Sequence, residues 1–452
     1  MNDFISFKVC EVTDNFDNLR VPLSATQRKE ISKVYPYYGA QSIIDYVDDY
    51  IFDGEYILVA EDGENLKSQN SNVCNLVNGK FWVNNHAHII KGKDGHSTRY
   101  MYYYLNLIDF KPFITGSAQP KLTKDNLNSI PLKLHKKEEQ QKIANVLSTL
   151  DAKIELNNKI NAELEAMAKL VYDYWFVQFD FPTSAAYAAS VGKPLLAGQP
   201  YKASGGKMVY NEVLRREIPE GWEVDSLSSW IKTDKSGDWG KESEQGNYIT
   251  KVRCLRGADI NGLKGKGDLK APTRFILEKN EHKILDPFDL IVEISGGSPT
   301  QSTGRLGFVT EETMARFESP FICSNFCKAL ALKNTGYFYN FIFAWERVYD
   351  AGVLFGYEGK TSGIKNLLFD SFVSTYQIPK PPKELANKFF EFMSPSNAKV
   401  QNNLKQNQEL AELRDWLLPM LINGQVTVGD AEEKVAEYGA GESVSLAAEG
   451  EE

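Results

Sequence analysis

The chain has 452 residues, 42% of them hydrophobic, which indicates a folded protein of roughly two to four domains and excludes a disordered one. No apolar core marks the first 14 residues and no run of about 18 apolar residues occurs, so the sequence predicts neither a signal peptide nor a membrane span. We therefore expect a cytoplasmic protein, and its five scattered cysteines favour reduced thiols over a disulfide framework.

The net charge of −9 is unevenly distributed. Residues 430–452 hold eight acids and one lysine among Gly, Ala and Ser, a composition typical of a disordered tail. Residues 251–283 instead hold nine lysines and arginines against four acids. The overall acidity therefore does not exclude a basic surface that faces nucleic acid.

The first globular region contains a short apolar strand that ends at a glycine. This strand is predicted over residues 55–63, and the polar run Lys67-Ser-Gln-Asn70 follows it. Further on, Asn85-His86-Ala87-His88 places two imidazoles on one strand face, where a metal ion, strand packing or a DNA contact could use them. No carboxylate or cysteine is clearly associated with them, and Cys323 and Cys327 lack the second pair that a structural zinc site needs, so we predict no metal site.

A long helix is predicted next, because apolar residues from Ile143 to Trp175 recur at alternating spacings of four and three. This is the spacing of a coiled-coil seam, although an ordinary amphipathic helix has the same stripe. Two asparagines, Asn157 and Asn161, lie within the seam. Residues 182–207 are rich in Ala, Gly, Ser and Pro, which is typical of a linker.

The second globular region repeats the first at a separation of about 245 residues. Its glycine-rich loop from Ser295 to Gly307 is either a flexible hairpin or a loop whose glycines let the backbone approach DNA. In the second interpretation, Gln301 bonds an adenine edge and Arg305 a guanine or a phosphate. Three pairs of segments match between the two regions: 55–63 with 289–297, 116–122 with 361–367, and Ile130-Pro131 with Ile378-Pro379.

The seam of the first helix recurs 246 residues later, with Asn403 and Asn407 at the positions of the two earlier asparagines. Buried Asn lowers stability but fixes register, so the repeated pair indicates that the two helices pack on each other. Pro395 predicts a break in the second helix, with Ser394 capping a new start.

We predict that the two helices are antiparallel, with facing residue numbers that add up to about 564. Helices of about 35 residues would then hold the globular regions at opposite ends of a spacer of about 50 Å. The predicted pairs are Asn157 with Asn407, Asn161 with Asn403, Ile154 with Leu410, Leu164 with Val400, Leu147 with Leu417, and Val171 with Met393.

Nearly all of residues 1 to 425 resembles the specificity subunits of type I restriction-modification systems. The first helix is similar to the first conserved region of that family, and the second helix matches the second conserved region more loosely. The motifs are Ile130-Pro131, Glu139-Gln140, Lys142-Ile143-Ala144, Val146-Leu147, Leu150-Asp151, Lys153-Ile154, Asn157, Trp175-Phe176, Ile218-Pro-Glu-Gly-Trp222, Asp289-Leu-Ile-Val-Glu293 and Ser295-Gly-Gly297.

The resemblance implies an α+β protein with two tandem mixed α/β target recognition domains, separated by two long helices that form an antiparallel coiled coil. It implies a noncatalytic subunit that reads double-stranded DNA in two halves, while two methyltransferase subunits and restriction subunits dock on it. S-adenosylmethionine, ATP and magnesium would bind those partner subunits and not this chain. Consistently, the sequence has neither an Asn/Asp-Pro-Pro-Tyr/Phe run nor a Gly-x-x-x-x-Gly-Lys-Ser/Thr phosphate loop.

Two functions remain open from the residues alone. The basic segment and the polar loops favour DNA recognition, whereas the overall acidity favours a two-domain coiled-coil scaffold that binds no nucleic acid, and an enzyme ranks third for lack of any motif. The predicted boundaries are 1–135 for target recognition domain 1, 136–181 for spacer helix 1, 182–207 for the linker, 208–380 for target recognition domain 2, 381–425 for spacer helix 2, and 426–452 for the disordered tail. The predicted DNA contacts are Lys67, Gln69, Asn70, Gln119, Lys121, Arg253, Arg256, Lys264, Ser298, Thr300, Gln301, Thr303, Arg305 and Lys360.

Overall fold

The computed structural model describes residues 4–68, 71–116, 119–267, 269–296, 298, 300–361 and 363–448. Among the predicted DNA contacts, Gln69, Asn70 and the side chain of Lys360 lie outside this description. The chain divides into two compact units. Unit 1 comprises residues 1–155 and 408–452, and unit 2 comprises residues 156–407, so each unit contains one globular region and one half of each long helix.

The globular region of unit 1 precedes the first long helix. Its strands are β1 (Ile5–Lys8), β2 (Thr13–Asn15), β3 (Tyr35–Tyr38), β4 (Ile43–Val47), β5 (Phe52–Asp53), β6 (Tyr56–Ala60), β7 (Cys74–Val77), β8 (Lys80–Val83), β9 (Ala87–Gly92) and β10 (Pro131–Leu134). Its helices are α1 (Val9–Val12), α2 (Ala25–Lys29), α3 (Asn65–Ser68), α4 (Thr98–Leu105) and α5 (Lys124–Ser129), followed by the long helix α6 (Lys137–Tyr172).

The globular region of unit 2 follows α6. Its strands are β11 (Met208–Asn211), β12 (Arg216–Pro219), β13 (Glu223–Ser226), β14 (Ile231–Ser236), β15 (Tyr248–Leu255), β16 (Thr273–Leu277), β17 (Leu290–Glu293), β18 (Ser295–Gly296), β19 (Leu306–Phe308), β20 (Phe321–Cys323), β21 (Cys327–Leu332), β22 (Glu358–Thr361), β23 (Ile364–Leu367) and β24 (Gln377–Lys380). Its helices are α7 (Ala185–Ser190), α8 (Ile260–Leu263), α9 (Glu311–Met314), α10 (Phe338–Asp350) and α11 (Phe369–Thr375), and the chain ends with α12 (Lys383–Ile422) and α13 (Val428–Ala448).

The two globular regions have the same sheet topology. The central sheet of unit 1 has the order β2-β9-β6-β7, and that of unit 2 has the order β14-β21-β17-β19. A second sheet has the order β4-β3-β8-β5 in unit 1 and β16-β15-β20 in unit 2, with the β3–β8 and β15–β20 pairs both parallel. Strands β1 and β10 pair as β13 and β24 do, whereas β11-β12 and β18-β23-β22 are additional sheets of unit 2.

The structure corrects two of the segment matches made from the sequence. The Val9 amide donates to the Ile130 carbonyl (3.1 Å), and the Leu227 amide donates to that of Tyr376 (3.4 Å), so Ile130 corresponds to Tyr376 and not to Ile378. That match is therefore shifted by two residues, and the match of the two central strands, 55–63 with 289–297, is shifted by one. Burial does not distinguish the two registers of the first match, because Ile130 and Leu132 are both buried, so the backbone hydrogen bonds decide it.

Helices α6 and α12 pack antiparallel, as predicted. In unit 2, the Asn157 side-chain amide donates to Asn407 Oδ1 (2.9 Å) and that of Asn403 donates to Asn161 Oδ1 (2.8 Å). In unit 1, Leu147, Leu417 and Leu410 are buried in one core, with Ile154 packed against it. In unit 2, Val171 packs against the core that holds Met393, and the seam residues Leu164 and Val400 are both half-buried.

Helix α12 is continuous through Pro395, so the predicted break there is wrong. Proline lacks the amide hydrogen for one helical bond, but its φ is compatible with a helix. Ser394 does not cap a new start. Its hydroxyl donates to the Phe390 carbonyl one turn earlier (2.8 Å), while Met393 and Asn397 keep this part of the helix buried.

Two segments predicted to be a linker and a disordered tail are folded where the structure describes them. Within residues 182–207, the Tyr201 ring lies in the unit 2 core, stacked on Phe181 at 4.7 Å between ring centroids. Helix α13 occupies much of the tail. Its first turn is fixed by the Asp430 amide, which donates to the Thr427 hydroxyl (3.2 Å), and by Ala431, which is buried in the unit 1 core. Composition missed both segments because a few buried side chains are enough to anchor them.

Candidate nucleic-acid interface

In unit 1, the candidate interface lies at the end of the central strand β6. Glu61 follows this strand, and its carboxylate binds Arg20 (2.8 Å) and the predicted contact Lys121 (3.1 Å). The Leu122 amide donates to the Glu61 carbonyl (2.8 Å), which ties the Lys121 segment to the strand end. Burial raises the pKa of Glu61, but hydrogen bonds from Arg20 and Lys121 outweigh it and lower the pKa below its ordinary value.

The other predicted residues of unit 1 lie in the segments around this strand end. Lys67 is on the short helix α3, five residues after Asp62, whose backbone forms an isolated β-bridge with that of Lys121. Gln119 is exposed and lies two residues before Lys121. The structure thus places Lys121 beside Glu61, with Gln119 two residues before Lys121 and Lys67 on the segment that follows Glu61.

The two histidines of unit 1 have separate carboxylate partners. The half-exposed His86 ring binds Asp62 through Nδ1 (2.6 Å). The His88 ring is buried between Asp17 (Nδ1, 2.6 Å) and the Leu122 carbonyl (Nε2, 2.8 Å). His88 therefore serves strand packing, and no group of three or more His, Cys, Asp or Glu side chains suited to a metal ion occurs among the described residues.

In unit 2, the corresponding strand β17 ends in a buried ion pair. Glu293 is 6% exposed, and both its oxygens accept from Arg305, from Nε and Nη2 at 2.8 Å each. Gly257 allows this arrangement, since a Cβ there would lie 2.3 Å from the carboxylate. The hydrogen bonds raise the pKa of Arg305 above its ordinary value, so the guanidinium predicted to face DNA is committed to an internal partner.

The glycine-rich loop that follows has an exposed part and a buried part. Thr300 and Gln301 are exposed and Ser298 is half-buried, with the Ser298 hydroxyl accepting from the Gln301 amide (3.2 Å). Thr303, by contrast, is 2% exposed, and its amide donates to Glu358 (2.8 Å). The prediction that Thr303 contacts DNA is therefore wrong, because its side chain lies inside the protein.

The three predicted residues of the basic segment differ in their partners. Arg256 donates from Nε to Asp259 (2.8 Å), and Lys264 is paired with Glu346. Arg253 instead packs its guanidinium over the Phe317 ring, 5.0 Å from the ring centroid. Arg256 and Lys264 thus have carboxylate partners within unit 2, whereas Arg253 rests on an aromatic ring.

Two residues beside the loop of unit 2 are not among those predicted from the sequence. Lys365 pairs with Glu358 (3.2 Å) and donates to the Gln301 carbonyl (3.3 Å), so it anchors the exposed part of the loop. Phe326, between β20 and β21, is 55% exposed, and its carbonyl accepts from the amides of Ile294 (2.8 Å) and Ser295 (3.2 Å). The repeat could have found Phe326, because the carbonyl of His86 accepts in the same way from Glu61 (2.9 Å) in unit 1.

Comparison with known proteins finds similarity to DNA specificity proteins. Residues 3–166 match the family described as "Type I restriction modification DNA specificity domain". Over 352 residues the chain is 27% identical to the type I restriction enzyme MjaIX specificity subunit of Methanocaldococcus jannaschii, covering 74% of this chain and 71% of that protein. Across the described residues, no helix is both long and apolar enough to cross a bilayer.

Two further similarities are partial in sequence or limited to the fold. S.HindORF215P of Haemophilus influenzae, provisionally named as a type I restriction enzyme specificity subunit, is 39% identical over 142 residues, which cover 31% of this chain and 36% of that protein. The chain thus spans about a third of that relative. The crystal structure of the type I restriction-modification S subunit of M. genitalium has a TM-score of 0.57 at 15% identity, covering 93% of this chain and 96% of that one, and therefore supports the same fold.

Proposed function

The chain belongs to the family of DNA specificity subunits of type I restriction-modification systems, and we propose that it recognises double-stranded DNA in two halves, one half with each unit. Specificity subunits of this family are noncatalytic. Chemistry in the assembled system then belongs to its partner subunits, and this chain determines where on DNA that chemistry takes place.

The observation that carries this proposal is that the two globular regions repeat one arrangement of strands, which we call the frame. The side chains at the exposed end of its central strand, β6 or β17, differ between the two regions. In unit 1 the Leu122 amide donates to the Glu61 carbonyl (2.8 Å), and in unit 2 the Leu367 amide donates to the Ile294 carbonyl (2.9 Å). Lys121 is exposed beside the first bond, and Gln301 in the loop beside the second. A constant frame with varied exposed polar groups suits two readers of different half-sites.

We propose residues 1–135 and 208–380 as the two target recognition domains. Two methyltransferase subunits and the restriction subunits are the proposed partners, and S-adenosylmethionine, ATP and magnesium are assigned to them. The proposed location is the cytoplasm, where such a complex meets DNA. Family membership supports these assignments.

Exchange of most of the globular region of unit 1 tests the two-half proposal. Residues 1–127 are replaced by the matching segment of a relative, and methylated sites are mapped in cells that also express the methyltransferase partner. We expect one half of the methylated sequence to change and the other half to stay the same. A change in both halves would contradict the assignment of one half-site to each unit, and methylation that does not depend on this chain would favour the scaffold function.

A further inference from the structure

Arg316 in unit 2 is a half-buried arginine that has a neutral partner. It lies two residues after α9, and its Nη1 donates to Gln401 Oε1 (2.9 Å) on α12. Gln401 is 2% exposed, and its amide nitrogen donates to the Leu263 carbonyl (3.3 Å), which fixes the oxygen toward Arg316. Because the acceptor is an uncharged amide, the positive charge of Arg316 is not neutralised there.

A second arginine shares an aromatic ring with Arg316. The guanidinium carbons of Arg253 and Arg316 lie 5.0 and 5.2 Å from the centroid of Phe317. The two charges are therefore at most about 10 Å apart, and the ring holds both side chains in place. Phe317 is itself fixed by an edge contact with the buried Phe321, at 5.1 Å between centroids.

No carboxylate pairs with either guanidinium in the part of unit 2 that the structure describes. Glu312 and Glu318, the acids nearest to Arg316 in sequence, form no ion pair with it, and its buried Nε has no hydrogen-bond acceptor. Burial lowers the pKa of Arg316 to about 10, which is the expected sign for a cation without a counter-charge. Arg256, Arg274, Arg305 and Arg347 in the same unit each pair with Asp or Glu.

We propose that Arg253 and Arg316 form an anion site that binds the phosphate backbone of DNA. This inference rests on the proposed function, and it assigns a sequence-independent contact to unit 2. A guanidinium presents several donors in one plane and matches the oxygens of a phosphate, so two of them on one ring form a preorganised site. Fixing the two side chains before binding reduces the entropy lost on association.

DNA is the favoured source of this anion because of the surrounding charge. Residues 251–283 carry an excess of five positive charges, of which three are paired with acids outside the segment, namely Lys264 with Glu346, Lys266 with Glu165 and Arg274 with Glu242. Lys251 is exposed on the same strand as Arg253 and forms no ion pair among the described residues. A repeating polyanion suits such a strip better than a single carboxylate does. A free phosphate ion or an acidic surface of a partner protein are the alternative occupants, and the experiment separates them.

The experiment measures DNA affinity of the full chain as a function of salt. A random-sequence duplex is the probe, since phosphate contacts do not depend on base sequence. Log affinity falls as log salt rises, and each lost contact makes this negative slope smaller in magnitude by about 0.9. Below, a lowered slope means a slope of smaller magnitude. We expect the double variant R253Q/R316Q to lower the slope by about 2, whereas R347Q, which removes an arginine already paired with Asp173, leaves the slope unchanged.

A third variant tests the missing counter-charge directly. Q401E would place a carboxylate where Arg316 now meets a neutral oxygen, so we expect it to lower the slope by about 1 while both arginines stay in place. Thermal unfolding checks that each variant is folded. If R253Q/R316Q is not folded, R253K/R316K replaces it, with weaker binding expected because lysine lacks the planar donor fork.

The outcomes separate the possible occupants. If the wild-type chain binds the duplex and its slope is the same in the double variant, the anion site is refuted while DNA recognition stands. If the wild-type chain binds no DNA, the proposed function fails first. A free ion would be the occupant if inorganic phosphate, at constant ionic strength, raised the melting temperature of the wild type but not of the double variant, and if the DNA slopes of the two were equal. That result would overturn the proposal. Equal DNA slopes with weaker binding of the methyltransferase partner by the double variant would assign the site to a protein carboxylate and also overturn the proposal.

Discussion

The globular regions of the two units have the same frame but differ in where they place charge at the end of the central strand. In unit 1, Glu61 lies just beyond β6 and binds both Arg20 and the exposed Lys121. In unit 2, the residue at the same backbone position is Ile294, and the carboxylate lies one position earlier, at Glu293. Since neighbouring residues of a strand face opposite sides, this shift by one residue turns the carboxylate to the other face of the strand. Both carboxylates are largely buried, with 13% of the Glu61 side chain and 8% of the Glu293 side chain exposed.

The comparison separates what the frame requires from what varies. Ala60 in unit 1 corresponds to Glu293 in unit 2, and both are buried, but only the second needs a cation beside it. Unit 2 therefore places the half-buried Arg305 beside its carboxylate, while unit 1 keeps Lys121 at the surface. Arginines and lysines near the strand ends are thus not equivalent candidates for DNA contacts, even where the frames superpose.

The largest expected effect is the loss of the buried carboxylate of unit 2. We expect Glu293→Ala to lower the free energy of unfolding of unit 2 by about 3 kcal/mol, because it leaves the half-buried Arg305 guanidinium without its carboxylate partner. Urea unfolding followed by tryptophan fluorescence measures this, since five of the seven tryptophans lie in unit 2.

Two variants serve as controls for Glu293→Ala. Glu61→Ala in unit 1 should cost about 1 kcal/mol, because Arg20 keeps its hydrogen bond to the Ala87 carbonyl (2.9 Å). Adding Arg305→Met to Glu293→Ala should recover most of the lost stability by replacing the unpaired charge with an apolar side chain. If the two single substitutions cost the same, the difference between the two strand ends is not energetic.

The exposed and buried parts of the unit 2 loop should respond in opposite ways. We expect Gln301→Ala to weaken discrimination at one base position of one half-site by about 1 to 3 kcal/mol, without changing the melting temperature. Thr303→Val should instead lower stability by about 1 kcal/mol, since it removes an internal hydroxyl bonded to Glu358 (3.3 Å). Competition binding with variant duplexes and thermal unfolding measure the two effects, and a loss of specificity with Thr303→Val alone would reverse our interpretation of the loop.

The sequence predicted the frame because the frame depends on repeated local patterns. The repeat of 246 residues places α6 and α12 in matching positions, with starts at Lys137 and Lys383, and the matched asparagines predicted their register. The predicted polar segments also lie at the ends of β6 and β17. Apolar periodicity and turn residues record these features directly.

The charge partners could not be predicted in the same way. Lys264 and Glu346 are 82 residues apart, and Arg316 and Gln401 are 85 apart, so their contacts follow from the tertiary fold and leave no local pattern. For the same reason Arg253 and Arg256 looked equivalent in sequence, although only Arg256 has a carboxylate partner. The break predicted at Pro395 failed because buried neighbours on the same helix outweigh one missing hydrogen bond.

The smallest expected effect concerns acid stability, where two buried aspartates differ in sign. Burial raises the pKa of Asp17 in unit 1, but hydrogen bonds from His88 and the Ile89 amide outweigh it, and the pKa lies below its ordinary value. A carboxyl with a lowered pKa stabilises the fold above about pH 4 and loses that contribution as acid protonates it in the folded state. In unit 2, burial outweighs the hydrogen bonds from the Asp286 amide and Lys235, and the pKa of Asp289 is raised. Its charged form is disfavoured in the folded state, so its protonation as the pH falls favours folding.

Amide exchange from pH 7 to pH 3, corrected for intrinsic rates, should therefore show that Asp17→Asn makes the stability of unit 1 less sensitive to acid, while Asp289→Asn makes the stability of unit 2 more sensitive. The same direction of change in both variants would show that the two carboxyls do not differ as the geometry of the two units requires.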